Sequence, residues 1–361
     1  MKKSIVFIVG SLSQPRIIRR IESFYNRGYD IKVYGYDRGV YTVNRLPQDI
    51  EVYTLGKMTD GTNYFRRLLQ VKRDIKEIVQ QEGKGVVYYA FGFEKAFFLR
   101  SRGVSYIYEI SDILYGYKRF DLLRPLLRLI DAFLVKKSVC TVVTSQGFAD
   151  YLFKEMPSNV VNLPNKLNPY FANISRIYPD VSEKHIVFSF IGAIRYPNTI
   201  LRFAKVVGEN YPNHEFHFYG DSVLVKQFEE ELSFYQNVKF FGPYRNPQDL
   251  EDIYSKIDVV VACYETESLN ERIAEPNKLY EAIFFNKPII VSTNSFVGKR
   301  VRELNCGLVI DAYSEKSIMN AIDSLTYEKM KEFCCNSTCV NSKSLIDSPE
   351  PLFDKLTKII E

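Results

Sequence analysis

Short apolar runs alternate with longer stretches of helical spacing along this chain, and the alternation occurs twice. In the first half, Ser4–Val9, Ile31–Tyr36, Ile50–Leu55, Val86–Ala90, Ser105–Ile110 and Val139–Thr144 read as strands. Several of these runs are continuously apolar, as in parallel strands covered by helices on both faces. Between them, Arg16–Arg27, Tyr64–Gln81, Lys95–Arg102 and Phe120–Lys137 repeat apolar positions every three or four residues. The second half offers strands at Ile186–Ile191, Glu215–Tyr219, Val238–Phe241, Asp258–Ala262, Pro288–Ser292 and Leu308–Ile310. Helices fill its gaps at Thr199–Asn210, Val223–Phe234, Pro247–Ser255, Pro276–Phe285, Val297–Leu304 and Glu315–Ser324. Such alternation specifies a doubly wound α/β domain. A proline- and asparagine-rich connector from Pro164 to Ser182 separates the two halves. At 361 residues the chain has room for both. Rossmann-like domains are expected at 1–168 and 183–344.

One segment carries most of the chemistry: Arg272-Ile-Ala-Glu-Pro-Asn-Lys-Leu-Tyr-Glu-Ala-Ile-Phe-Phe-Asn-Lys-Pro-Ile-Ile-Val291. It reads as a loop, a helix with Pro276 at its first position, and a buried strand. Proline suits that position because its missing N–H would have no partner there. A helix N-terminus presents free N–H groups and the positive end of the dipole, a seat for phosphate. Lys278 in the first turn opposes that dipole unless an anion lies in front of it. Glu281 follows Lys278 by three positions and Asn277 by four, so all three share a face. A carboxylate one turn behind a phosphate seat can accept hydrogen bonds from ribose hydroxyls. The segment predicts a nucleoside-diphosphate pocket in which Asn277 and the backbone from Pro276 line the phosphates.

Pro276-Asn-Lys-Leu-Tyr-Glu-Ala282 followed by Asn286-Lys-Pro-Ile-Ile-Val-Ser292 resembles the donor segment of GT-B glycosyltransferases of the family 4 type. Ser145-Gln-Gly-Phe-Ala-Asp-Tyr-Leu152, Leu163-Pro-Asn-Lys166, Phe190-Ile-Gly-Ala-Ile-Arg-Tyr-Pro197, His217-Phe-Tyr-Gly-Asp221 and Val238-Lys-Phe-Phe-Gly-Pro-Tyr244 resemble other family segments, in the family's order. The resemblance implies two Rossmann-like domains facing a central cleft, with 345–361 returning as a helix onto the first. It also implies sugar transfer from a nucleoside-diphosphate sugar, with retention at the anomeric carbon and without a catalytic metal or further cofactor. The acceptor would be a growing polysaccharide or a lipid-linked glycan.

Within that frame, Arg195 and Lys278 are the candidate cations for the leaving diphosphate, whose developing charge preorganised donors stabilise. Gly192, Tyr219, Gly220, Tyr244, Arg272, Pro276, Asn277 and Glu281 are the donor-binding candidates, with Gly10 at the end of the first strand. Asp112 is a catalytic candidate and Glu109 an acceptor-side one, both from Tyr108-Glu-Ile-Ser-Asp-Ile113. Several departures from the family pattern stand out. Ile273 occupies the place of an earlier glutamate, Ser111 that of a histidine, and Asn198 and Thr199 stand where a lysine often lies. These departures leave room for a degenerate nucleotide-binding partner subunit. A sugar-nucleotide epimerase of the same architecture would need acid/base groups that no histidine supplies.

Charge divides unevenly. Residues 1–165 hold 26 Lys+Arg against 16 Asp+Glu, a balance of +10, and the remaining 22 against 27 give −5, which together make the net +5. A basic first half suits an anionic partner. Lys118–Lys137 joins six basic residues to Leu and Phe, the composition of an interfacial helix, and Tyr64-Phe-Arg-Arg-Leu-Leu69 is similar. Peripheral contact with an anionic membrane is therefore expected rather than nucleic-acid binding. The opening Met-Lys-Lys-Ser-Ile-Val-Phe-Ile-Val-Gly has an apolar run that stops before Ser11, Ser13 and Gln14. It reads as a buried strand rather than a leader, so a cytoplasmic location is expected. His185, His214, His217 and the six cysteines lack triad or metal-ligand spacing.

Overall fold

The computed structural model describes residues 4–37, 46–58, 64–176 and 182–360. The chain divides into two compact units, Met1–Pro164 with Ser348–Glu361, and Asn165–Asp347. Of the expected connector, 177–181 lies outside the described residues.

Unit 1 is built on strands β1 (Ser4–Val9), β2 (Asp30–Asp37), β3 (Glu51–Lys57), β4 (Val87–Phe91), β5 (Tyr106–Ile110), β6 (Cys140–Val143) and β7 (Val160–Asn162). They form one sheet in the order β3-β2-β1-β4-β5-β6-β7, every pair parallel. Helices α1 (Pro15–Tyr25), α2 (Tyr64–Glu82), α3 (Phe93–Ser101), α4 (Arg124–Lys137) and α5 (Gln146–Leu152) connect them. The three-residue β7 is too short to show any period in the sequence. The C-terminal helix, Glu350–Ile360, also belongs to this unit, burying Leu352, Phe353 and Leu356. Phe353 packs 4.7 Å from the Phe24 ring, and Arg27 lies 3.9 Å over Phe353 while pairing with Glu350.

Unit 2 repeats the plan with β8 (Val187–Ile191), β9 (Glu215–Tyr219), β10 (Val238–Phe240), β11 (Val259–Ala262), β12 (Ile289–Ser292) and β13 (Gly307–Ile310). The order is β10-β9-β8-β11-β12-β13, again all parallel. Its helices are α6 (Arg202–Asn210), α7 (Val225–Leu232), α8 (Leu250–Ser255), α9 (Leu269–Ile273), α10 (Asn277–Phe284), α11 (Phe296–Leu304), α12 (Glu315–Asp323), α13 (Tyr327–Thr338) and α14 (Ser342–Leu345). In each sheet the chain reverses its direction of winding once, between β1 and β4 and between β8 and β11. Ligands of doubly wound sheets bind beyond the carboxyl ends of the strands at such points.

Two expected helices are interrupted. The run Phe120–Lys137 divides into a 3-10 turn, Lys118–Leu123, and α4. Pro125 cannot donate an N–H, so a continuous α-helix through this point would lose a bond. The run Thr199–Asn210 opens as a π-helical turn, Pro197–Leu201, before α6. Arg176 ties the connector to unit 2. Its guanidinium donates to Phe284 O (3.1 Å), Ser337 O (2.7 Å), Val340 O (2.9 Å) and Asn286 Oδ1 (2.5 Å). These acceptors cluster at the carboxyl ends of α10 and α13, where carbonyls lack helical partners and a cation is favoured.

Asp131 is the exceptional group in the unit 1 interior. It is 2% exposed and accepts hydrogen bonds from Tyr108 Oη (2.8 Å) and Tyr115 Oη (2.9 Å). Burial raises its pKa to about 6, although the two tyrosine bonds pull the other way. The folded value lies above the unfolded one, so the folded chain holds the extra proton. This contribution is full below the unfolded value of 3.8 and fades as pH rises through about 6. Asp131→Asn should remove the corresponding fall in stability, on the order of 3 kcal/mol. Urea unfolding across this pH range checks it; an unchanged slope in the variant would refute the assignment.

Candidate functional site

Glycine opens the carboxyl ends of three adjacent strands in unit 2. Gly192 follows β8 with φ 139°, Gly220 follows β9 with φ 140°, and Gly242 lies beyond β10 with φ 73°. Gly192 N–H donates to Tyr219 O and Gly220 N–H to Gly242 O, each at 2.8 Å. A Cβ on Gly220 would lie 1.8 Å from Gly192 O. Only glycine permits this approach together with that φ. The side chain of Lys278 reaches over the first of these turns, its Cε 3.7 Å from where a Gly192 Cβ would be. The β8 turn and the start of α10 thus meet at the switch point of the sheet.

Pro276 is not the first residue of α10, as the sequence suggested. It is the N-cap, with extended backbone (φ −75°, ψ 147°), and the helix begins at Asn277. A cap residue keeps non-helical dihedrals, and proline lacks an N–H in either position. Every residue from Lys278 to Phe284 is buried, so this helix is a core element as well as a site element. Lys278 is 4% and Glu281 2% exposed. Lys278 Nζ lies 2.5 Å from Glu281 Oε2 and 3.4 Å from Tyr244 Oη. Burial acts to lower the ammonium pKa, but the opposing attraction of Glu281 and its hydrogen bond carry it above the ordinary value. Lys278 is held as a cation. Glu281 also accepts from Tyr254 Oη at 2.8 Å and from Asn277 Nδ2 at 2.7 Å. The shared face of Asn277, Lys278 and Glu281 is thereby realised, with the carboxylate enclosed by its own neighbours.

Arg195 is exposed and makes no hydrogen bond or ion pair among the described residues. The turn around it is nonetheless pinned. Ile194 O accepts from Ser222 Oγ, Tyr196 takes a left-handed φ of 70°, and Asn198 donates to Glu265 through its N–H (3.0 Å) and amide (3.1 Å). Tyr219 stacks on Phe241 at 4.6 Å and 9°, and its buried hydroxyl has no hydrogen-bond partner among the described residues. Arg272 is committed elsewhere, donating to Thr266 O (3.2 Å) and Glu267 O (3.1 Å) in its own loop. It braces the approach to α10.

In unit 1, Gly10 directly follows β1, and Asp112 is exposed beyond β5. Glu109 is the acceptor-side candidate. It lies within β5 with no exposed surface, accepting from Arg20 Nε at 3.1 Å and Tyr89 Oη at 2.6 Å, with Arg16 Nε 3.6 Å away. A carboxylate buried in a strand needs such partners; its Oε1 has no hydrogen-bond partner among the described residues.

Three contributors escaped sequence reasoning: Tyr254, Glu265 and Gly242. Gly242 was detectable, since it repeats the strand–glycine pattern of Gly192 and Gly220. Tyr254 sits in α8 with ordinary core spacing and gives no local signal. Among the described residues no cluster of three His, Cys, Asp or Glu could hold a metal ion.

Residues 185–327 match the family model described as glycosyl transferases group 1. The chain is 22% identical over 346 residues to the succinoglycan biosynthesis protein ExoL of Rhizobium meliloti (strain 1021), covering 89% of this chain and 84% of that protein. Its structure resembles that of WaaG, a glycosyltransferase involved in lipopolysaccharide biosynthesis, with a TM-score of 0.70, 17% identity and coverage of 98% and 99% of the two chains. It also resembles Anabaena Alr3699/HepE in complex with UDP and glucose, with a TM-score of 0.65, 13% identity and coverage of 99% and 98%. At these identities the solved structures speak for the fold, which is GT-B. The group 1 match and the ExoL likeness, on that fold, indicate a glycosyltransferase.

The crossing of Gly192 and Gly220 yields a direct test. Gly220→Ala should destabilise the protein by roughly 3 kcal/mol or more, from carbonyl overlap added to backbone strain. Gly56→Ala is the control: its φ is 113°, but a Cβ there would come no nearer than 3.8 Å to Gln70 Nε2. It should cost only the strain, about 1 kcal/mol. Equal losses in thermal unfolding would show that the close approach is not what glycine serves.

Proposed function

We propose that this glycosyltransferase moves a sugar from a nucleoside-diphosphate sugar to a growing polysaccharide or lipid-linked glycan, with retention at the anomeric carbon and without a catalytic metal. The observation that carries this is the charged, buried Lys278 brought over the glycine turn of β8 at the switch point. Breaking the bond between anomeric carbon and phosphate leaves negative charge on the diphosphate. In this reading Lys278 and the α10 N-terminus meet that charge from one direction and the unpartnered Arg195 meets it with a two-pronged donor. Metal-free transfer fits this supply of fixed positive charge. Retention rests on the resemblance of the Pro276–Ala282 segment to family 4 enzymes.

A diphosphate would compete with Glu281 for Lys278. Glu281 keeps Tyr254 and Asn277 as donors, and the oxygen released by Lys278 becomes available to a ribose hydroxyl. Tyr219, Gly220 and Tyr244 are assigned to the base and the adjoining ribose. Acceptor recognition is assigned to unit 1, with the exposed Asp112 as its candidate carboxylate. The cytoplasmic face of a membrane is the proposed setting, because lipid-linked acceptors and nucleotide sugars would meet there. Polysaccharide biosynthesis is the process suggested by ExoL.

Lys278→Gln removes the cation while retaining a donor for Glu281. It should lower kcat about 100-fold, with a much smaller change in donor KM, if the contact tightens as charge develops. The assay is acceptor-dependent release of nucleoside diphosphate, with and without a chelator. Abolition by the chelator would overturn metal independence; an unchanged kcat with weakened donor binding would make Lys278 a binding residue only. Donor binding without any turnover would identify a degenerate subunit.

A further inference from the structure

The turn that carries Arg195 is held in a conformation that its own residues do not favour. Tyr196 takes φ 70°, a left-handed value that strains a bulky side chain. The next residues, Pro197–Leu201, form the π-helical turn before α6, a form that is rare and recurs at functional sites. Thr199, wholly buried in that turn, has a hydroxyl with no hydrogen-bond partner among the described residues. Backbone of this kind persists only where the surroundings over-determine it.

Contacts from the loops after β9 and β11 supply that constraint. Ser222 Oγ donates to Ile194 O. The Tyr196 ring lies 4.9 Å from that of Tyr264. Glu265, the residue after Tyr264, accepts from Asn198 twice at one oxygen, from the backbone N–H at 3.0 Å and the side-chain amide at 3.1 Å. A carboxylate acceptor strengthens both bonds, and this one lies at the positive end of the helical run that continues into α6. Glu265 is in turn held by its neighbours. Thr266 N–H donates to Tyr313 Oη at 3.1 Å, and Thr266 O accepts from Arg272 at 3.2 Å. Shortly beyond Arg272 the chain reaches Pro276, the cap of the helix that bears Lys278. The loop after β11 therefore braces the turn of Arg195 at one end and leads into the helix of Lys278 at the other. Neither Glu265 nor Arg195 makes an ion pair among the described residues, so the brace leaves the guanidinium available to an anion.

We propose that Glu265 is a positioning residue for sugar transfer: by holding Asn198 it fixes the turn from which Arg195 meets the leaving diphosphate. The inference deepens the function proposed above and rests on its assignment of Arg195. Free nucleoside diphosphate carries the leaving charge fully developed, so its affinity reports on Arg195 without an acceptor. The probe is whichever of UDP, GDP, ADP and dTDP the full chain binds most tightly by calorimetry. Arg195→Ala and Glu265→Ala should each weaken that binding about tenfold, and the double variant by no more than about twentyfold. Glu265→Gln keeps an acceptor for both Asn198 bonds and should stay within about threefold of the wild type. Asn198→Ala, which spares the backbone bond, should fall between the two. Independent losses, near about a hundredfold in the double variant, would overturn the proposal, as would Glu265→Ala binding like the wild type. A loss in Glu265→Gln as large as in Glu265→Ala would overturn it too, by assigning the effect to charge rather than to the brace. If Glu265→Ala does not fold, the cycle of Asn198→Ala with Arg195→Ala decides by the same criterion. Unchanged binding in Arg195→Ala would instead refute the reading of Arg195, and failure of the wild type to bind any of the four nucleotides would refute the donor reading itself; either removes the ground of this proposal.

Discussion

A lysine buried at the start of a helix is a conflict that the rest of unit 2 is arranged to resolve. Removing an ion from water costs several kcal/mol even after relaxation, and the positive end of the helix dipole adds to the burden on Lys278. Glu281 one turn later supplies the opposite charge; Tyr254 shares its Oε2 with Lys278, and Asn277 donates to Oε1. Tyr254 is itself fixed by stacking on Phe285 at 4.3 Å, so the carboxylate is held from the core side. Apolar residues could fill such a site with equal or greater stability. In the proposed reading, this cation serves the leaving phosphate rather than the fold.

The same topological rule operates in both units with different chemical outcomes. In unit 2 the strand ends at the switch point are freed of side chains by Gly192 and Gly220, and a cation is brought over them. In unit 1 the neighbouring strand β5 buries Glu109 against Arg20 and Tyr89, so that charge is spent inside the sheet layer. Exposed positive charge in unit 1 lies instead on the outer helices. Unit 2 therefore places its buried cation at the strand ends, whereas unit 1 places its buried carboxylate inside the sheet layer.

The alternating strands and helices were legible because burial on both faces leaves continuous apolar runs, and both sheets follow from them. The sharing of one face by Asn277, Lys278 and Glu281 was legible for a similar reason, since helical spacing alone decides it. The burial of Glu109 was not legible, because local sequence does not reveal Arg20, which lies on another element. Tyr254 was invisible because its partner is 27 positions away. The shift of Pro276 from first helical residue to cap reflects the same limit: proline is compatible with both places, and the surrounding loop chooses. Arg176 lay in the expected connector, where nothing in the sequence indicated the two helix ends it would bridge.

Amphipathic spacing in α4 carries a sharper lesson. Apolar positions there occur on two faces, and periodicity cannot say which one the sheet will take. The answer comes from Asp131, whose carboxylate is satisfied only where Tyr108 of β5 and Tyr115 of the following turn converge. Turning Asp131 inward carries Leu134 and Val135 with it and leaves Leu126, Leu129 and Phe133 outside. A buried polar group that could have been an ordinary leucine thus fixes the rotation of the helix. The exposed apolar stripe is the other side of that choice, and its energetic cost in water is removed only when something apolar covers it.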